Sequence, residues 1–183
     1  MPVLPVTVPA VSPAVVVATA VVVVAAGAWD VRSRRIPNVL TFPAIGAGLV
    51  IGAATAGGWG LLAALGGAVL APVVLMVLRL GNRLGMGDLK LAAAVGALTG
   101  PAVGALAMLL ATLTGGLLAI GWMLRPGTSV AKNLSPFLVG LPIVGRRYSK
   151  ATPDEAPLGT VTIPYGVAIG IGSLLAVAIA GTR

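Results

Sequence analysis

The sequence predicts an all-α, polytopic membrane protein of about six transmembrane helices, and three observations carry that expectation. Apolar residues make up 58% of the chain and charged residues only 9%, at a mean hydropathy of +1.08. An average soluble domain is about 25% charged. Residues 1–29, 36–78, 91–124 and 156–182 contain no charged side chain at all. The apolar runs are continuous rather than alternating, and in lipid a single continuous segment satisfies its own backbone only as a helix.

A hydrocarbon core of ~30 Å takes roughly 20 helical residues, so the two longer charge-free runs each hold two spans. The first helix is expected near 12–29. No positively charged segment precedes it, so it reads as a retained span rather than a cleaved secretory signal. The second and third, near 39–55 and 60–79, are parted by the turn sequence Ala56-Gly57-Gly58-Trp59-Gly60. The fourth and fifth, near 88–99 and 102–124, part at Thr99-Gly100-Pro101. The fourth is short for a span unless it begins before Asp88. The sixth is expected near 161–180, after a cytoplasmic loop at 127–159 whose apolar stretch 136–144 is too short to span and reads as interfacial or re-entrant. Small residues at Gly46-Ala47-Gly48, Gly66-Gly67-Ala68 and Gly115-Gly116 allow close helix approach. The whole chain, 1–183, reads as one integral membrane domain.

Basic residues orient these spans. Arg32, Arg34 and Arg35 follow the first helix; Arg79, Arg83 and Lys90 flank the loop after the third; Arg125, Lys132, Arg146, Arg147 and Lys150 follow the fifth. Only Arg183 lies elsewhere, and the two short intervening turns carry no charge. Positive charge stays cytoplasmic, which predicts both termini outside and the three basic loops inside, in a plasma (inner) membrane. The net charge of +8 is then a topogenic signal. It does not suggest a nucleic-acid surface, because the charges are dispersed over three loops.

Only four acidic residues occur, and two of them sit at the ends of apolar stretches: Asp30, and Asp88 in Gly85-Met86-Gly87-Asp88. A carboxylate at membrane depth is expensive and marks a functional site by default. The predicted topology brings both to the cytoplasmic leaflet, Asp30 as the first helix arrives there and Asp88 as the fourth returns. Each also has an ordinary explanation, Asp88 as a helix N-terminal charge and Asp30 as an interfacial partner of Arg32, Arg34 or Arg35. Asp154 and Glu155 read as solvated loop charges. The chain has no cysteine and no histidine, which removes thiolate and imidazole ligands and the commonest general base. No metal and no cofactor are expected. Carboxylates remain for acid–base work.

Residues near the two aspartates are candidates for substrate binding or structural support. Gly85 and Gly87 let backbone approach closely. Pro37 starts the second helix, and Asn38 is a polar interfacial residue that either needs a structural partner or touches substrate. Lys90 either acts on the Asp88 carboxylate or anchors its helix at the interface. Pro164, Tyr165 and Gly166 open the sixth helix or bend it towards the site.

Taken together, Asp30 with Ile36-Pro37-Asn38, Gly85-Met86-Gly87-Asp88-Leu89-Lys90-Leu91, and Ile163-Pro164-Tyr165-Gly166 resemble the type IV prepilin peptidases, which are Gly-x-Gly-Asp intramembrane aspartyl proteases. The resemblance covers roughly residues 15–180. It implies that Asp30 and Asp88 are the catalytic pair, and that the partner is a prepilin-like membrane protein whose short basic leader is removed after a glycine on the cytoplasmic face. Larger members carry a cytoplasmic domain with paired Cys-x-x-Cys motifs and N-methylate the new terminus. With no cysteine, this chain resembles the short members serving Flp/Tad-type pili, archaellins or competence pseudopili. Two carboxylates sharing one site do not both ionise cheaply. The ionised one would take a proton from water as it attacks, and the protonated one would hydrogen-bond the scissile carbonyl. Two other functions stay open. Presenilin-like proteases share Gly-x-Gly-Asp but pair it with Tyr-Asp and Pro-Ala-Leu motifs that this sequence lacks. A small proton-coupled transporter would use the aspartates as a relay.

Overall fold

The computed structural model describes residues 12–33, 36–79, 85–123 and 165–181. Among the described residues there are four helical elements, α1 (Pro13–Ser33), α2 (Asn38–Leu78), α3 (Met86–Met123) and α4 (Tyr165–Gly181), and no strand. The first three are long and apolar enough to cross a membrane, whereas α4 is a shorter apolar helix of 17 residues. This is an all-α membrane protein. The expected loop at 127–159, Pro164, Asp154 and Glu155 all lie outside the described residues, as do most of the basic residues used for topology.

Each of the two long elements is broken where the sequence predicts a turn. In α2 the helical geometry fails at Ala56 (φ −136°, ψ 22°) and Gly57 (φ 57°, ψ −138°), and in α3 at Gly100 (φ 78°, ψ 178°). Positive φ of this kind suits glycine, which has no Cβ to collide with the backbone. At Gly100 the following Pro101 adds a second reason, because it disfavours α geometry in the residue before it and is preorganised to begin a new helix. The arms then fold back on each other. A Cβ on Gly52 would lie 2.6 Å from the Gly60 carbonyl oxygen, and one on Gly104 would lie 2.9 Å from Gly96 Cα. Residues eight apart in a continuous helix are separated by about 12 Å, so α2 and α3 are helical hairpins. Their arms correspond to the predicted second and third, and fourth and fifth, helices; α4 corresponds to the sixth.

Three boundaries differ from the sequence expectation. α1 runs on to Ser33 rather than ending at Trp29, so Asp30 belongs to its last turn. The second arm of α2 is helical from Gly58, directly after the break. α3 starts at Met86, which lengthens the short fourth helix by the motif's own residues.

Packing is inverted relative to a water-soluble bundle. The interior is mostly small, with Ala26, Ala71, Ala92, Ala107 and Ala111 around the larger Leu75, Leu91, Met108 and Ile169. Bulky apolar side chains face outwards, Val39 at 85% and Trp59 at 81% exposure among them. Such a surface suits lipid, where the force that would bury it in water is absent. Association rests on close backbone approach instead. A Cβ on Gly67 would run into the Gly96 carbonyl and come within 2.8 Å of the Gly100 carbonyl carbon, and one on Gly172 would lie 2.6 Å from Ala111 Cα. α3 lies centrally, contacting α1, α2 and α4, while α1 packs chiefly on α4.

Neighbouring glycines give a clean test of this seam. Gly67 faces the Gly96 backbone, whereas a Cβ on Gly66 would meet nothing within 4 Å. Gly67→Ala is expected to destabilise the detergent-solubilised protein by about 1–3 kcal/mol through overpacking. Gly66→Ala should gain up to about 1 kcal/mol from helix propensity. Thermal melts of the two variants check the ordering, and equal melting midpoints would remove the seam from the account.

Candidate active site

The last turn of α1, the first turns of α3 and α4, and the two ends of α2 meet at one end of the bundle. Asp30 is 8% exposed, and its Oδ2 accepts a hydrogen bond from the Gly166 N–H at 2.9 Å. The first amides of a helix have no partner within the helix, so the Asp30 carboxylate serves as the acceptor that α4 lacks, at the positive end of its dipole. No side chain fits at position 166: a Cβ there would lie 2.8 Å from Asp30 Oδ2 and 3.0 Å from Asp30 Cβ. The glycine of Pro164-Tyr165-Gly166 thus has a direct structural purpose towards Asp30. α4 begins at Tyr165.

Asp88 is half-buried in the first turn of α3. Its N–H donates to the Gly85 carbonyl at 3.1 Å, and its carboxylate accepts from the Gly85 N–H. This reciprocal pairing satisfies donors at the start of the helix as a capping box does. The carboxylate is electrostatically engaged by Asp30, a like charge, and by Arg79, an opposite one. The two aspartates therefore share one electrostatic environment although they come from different helices.

The two glycines of Gly85-Met86-Gly87-Asp88 act on different neighbours. A Cβ on Gly85 would lie 3.2 Å from Asp88 Oδ2, so this glycine leaves room for the carboxylate to fold back over the helix start. A Cβ on Gly87 would lie 3.2 Å from Ile36 Cβ and 3.4 Å from Ile36 N. Gly87 lets the segment joining α1 to α2 lie against α3. Pro37, extended at φ −72° and ψ 143°, is the residue that starts α2.

Lys90 is turned away from the aspartates. Its Nζ donates to Asn38 Oδ1 at 2.8 Å and lies 5.5 Å from the centroid of the Phe42 ring. Lys90 and Asn38 together tie the start of α3 to the start of α2. Arg79 was counted in the sequence only as a topogenic charge, yet its guanidinium sits 3.9 Å from the centroid of Tyr165. The ring is itself confined. A Cβ on Gly115 would lie 2.7 Å from Tyr165 Cε2, and the Tyr165 hydroxyl is 3.4 Å from Thr112 Oγ1. No spacing in the sequence pairs Arg79 with Tyr165. Among the described residues, no three His, Cys, Asp or Glu side chains gather as metal ligands would.

This arrangement is two carboxylates of unlike surroundings at the ends of apolar helices, one of them held by a helix amide, with a guanidinium seated on Tyr165 at the same end of the bundle. Such a pair can divide acid and base roles. A sequence model of the type IV leader peptidase family matches residues 17–120, a little over half of the 183 residues. The matched segment includes Asp30 and Asp88. No curated protein and no solved structure matches the chain.

The Lys90–Asn38 tie is measurable apart from any activity. Lys90→Met and Asn38→Ala should each lower the thermal stability in detergent, and the double variant should lose less than their sum by about 0.5–1.5 kcal/mol, the usual size of such a bond. Strict additivity would mean that the two side chains do not interact.

Proposed function

Since the chain belongs to the type IV leader peptidase family, we propose that it is an aspartic-type endopeptidase that removes the leaders of prepilin-like membrane proteins, with Asp30 and Asp88 as its catalytic pair. The observation that carries this reading is that the family match spans both aspartates, Asp30 in the last turn of α1 on the first amide of α4 and Asp88 in the first turn of α3. In the proposed reaction the ionised carboxylate takes one proton from water as the oxygen adds to the scissile carbonyl. The protonated carboxyl hydrogen-bonds the carbonyl oxygen and stabilises the charge that develops there. As the tetrahedral intermediate collapses, the C–N bond breaks and a proton from the pair passes to the leaving nitrogen. The pair is returned to its starting protonation with one water consumed.

Gly166, through its amide, fixes the Asp30 carboxylate, and Gly85 does the same for Asp88. Lys90, Asn38 and Pro37 are proposed to support the site by fixing how α2 and α3 start, rather than to bind substrate. The substrate we propose is of the Flp/Tad, archaellin or competence-pseudopilin kind. Its basic leader would be cut after a glycine at the cytoplasmic face, and its apolar helix would enter the bilayer beside α1 and α3.

The membrane arrangement proposed with this reaction has six spans: α1, both arms of α2, both arms of α3, and α4. Both termini lie outside and the site faces the cytoplasm of the plasma membrane. Supporting it are the hairpin breaks at Gly57 and Gly100 and the placement of the basic residues. Cysteines introduced singly at positions 33, 85 and 150 into this cysteine-free chain should be shielded from an impermeant thiol reagent in intact cells and react once the cytoplasmic side is opened. External labelling at any of the three would overturn the arrangement.

Cleavage itself is tested by co-expressing a prepilin and following its gel mobility. Asp30→Asn or Asp88→Asn should each lower processing by at least about a thousandfold, and the double variant should be no worse, because groups acting as a unit are not additive. Asp154→Asn and Glu155→Gln should remain near wild type. Substantial processing by either single aspartate variant contradicts the paired mechanism.

A further inference from the structure

Among the described residues Arg79 is a cation at the same end of the bundle as the two aspartates, and the structure fixes it more tightly than a topogenic charge requires. Its backbone closes α2, with the N–H donating to the Leu75 carbonyl at 3.1 Å. Its guanidinium lies 3.9 Å from the centroid of Tyr165, well inside the ~6 Å range of a cation–π contact. Tyr165 in turn is held between Gly115 and Thr112 on α3. The residue after it, Gly166, donates its amide to Asp30. One dipeptide at the start of α4 therefore reaches both halves of the site, Asp30 through a backbone amide and Arg79 through an aromatic face.

We propose that Arg79, seated on the Tyr165 ring, is a positioning residue of the catalytic pair: a fixed positive charge that offsets the negative charge of the aspartates and of the tetrahedral intermediate formed between them. This inference rests on the peptidase reading above. A basic residue that served only to orient the span would be satisfied by lipid headgroups and would need no fixed geometry. Arg79 instead is held on the Tyr165 ring, next to the residue whose amide binds Asp30, while Lys90 on α3 is occupied by Asn38. A prepositioned charge at a half-buried site costs no reorganisation as the reaction proceeds. The planar guanidinium stacks on an aromatic face in a way that an ammonium cannot, which accounts for arginine over a tyrosine at this place. Arg79 touches no reacting atom; its charge acts across the site from its seat on Tyr165.

The experiment measures kcat and KM separately, with the full-length protein in detergent, a purified prepilin as substrate, and a thermal melt of each variant. Arg79→Gln should lower kcat by about tenfold to a hundredfold, with KM within about threefold of wild type, because the lost interaction belongs to the transition state. Arg79→Lys should regain part of that loss, since it restores the charge but not the stacked seat on Tyr165. Tyr165→Leu should lose kcat as Arg79→Gln does, Tyr165→Phe should lose less because the ring remains, and Arg79→Gln with Tyr165→Leu should be no worse than Arg79→Gln alone. A wild-type kcat in Arg79→Gln, a loss seen only in KM, or a loss that lysine does not recover even in part would overturn the inference. If Arg79→Gln fails to fold, Arg79→Lys and the two Tyr165 variants decide it, and equal kcat for Tyr165→Phe and Tyr165→Leu counts against it. A wild-type protein that cleaves no leader overturns the peptidase reading, and this inference with it. An active wild type with indifferent Arg79 and Tyr165 variants overturns this inference alone.

Discussion

A single hydrogen bond, from the Gly166 amide to Asp30 Oδ2 at 2.9 Å, sets the constraint around which the site is arranged. A carboxylate only 8% exposed at the end of an apolar helix needs a partner, because burying a polar group without one costs several kcal/mol. The partner here is the unfilled N-terminal amide of another helix, which supplies a donor and a favourable dipole together. The contact leaves no room for a side chain on residue 166, and it fixes the depth of α1 against the start of α4. Once α4 is placed this way, Tyr165 falls beside Arg79 and between Gly115 and Thr112.

The rest of the bundle holds that contact in place by close approach rather than by bulk. With lipid outside, burying a leucine brings little of the gain it would bring in water, so helices pack where backbones can touch. The seams at Gly67 against Gly96 and at Gly172 against Ala111 place α2 and α4 on α3. These seams lie among residues with no chemistry of their own. They nonetheless decide where Asp88, at the start of α3, stands relative to Asp30 at the end of α1.

What the sequence made legible was local. Gly57 and Gly100 could be read as breaks because a glycine pair and a Gly-Pro step alter backbone preference within two or three residues. Asp30 and Asp88 were conspicuous because each stands at the edge of a long charge-free stretch. Contacts between residues far apart in sequence were not legible. The Asp30–Gly166 bond joins residues 136 apart and the Lys90–Asn38 bond residues 52 apart, and nothing in either neighbourhood names its partner. Lys90 illustrates the limit. It is two residues from Asp88 in sequence, but positions i and i+2 on a helix do not face each other, so its ammonium reaches α2 instead. Arg79 was legible as a charge and not as part of the site, because its meaning comes from a ring on α4.

The central claim is that the end of α1 and the start of α3 present their two carboxylates to one site, and proximity tests it without reference to any substrate. The chain has no cysteine, so cysteines placed at positions 30 and 88 report only on each other. Treatment of membranes with a short bifunctional thiol reagent should link the pair within one chain, as read by the mobility of the protein after proteolysis between them. A control with cysteines at 30 and 57 should remain unlinked, because the break in α2 lies at the far end of its arm. Linkage of 30 to 88 with none to 57 is the result this structure predicts; no linkage at 88, or equal linkage to both, would contradict a shared aspartate site.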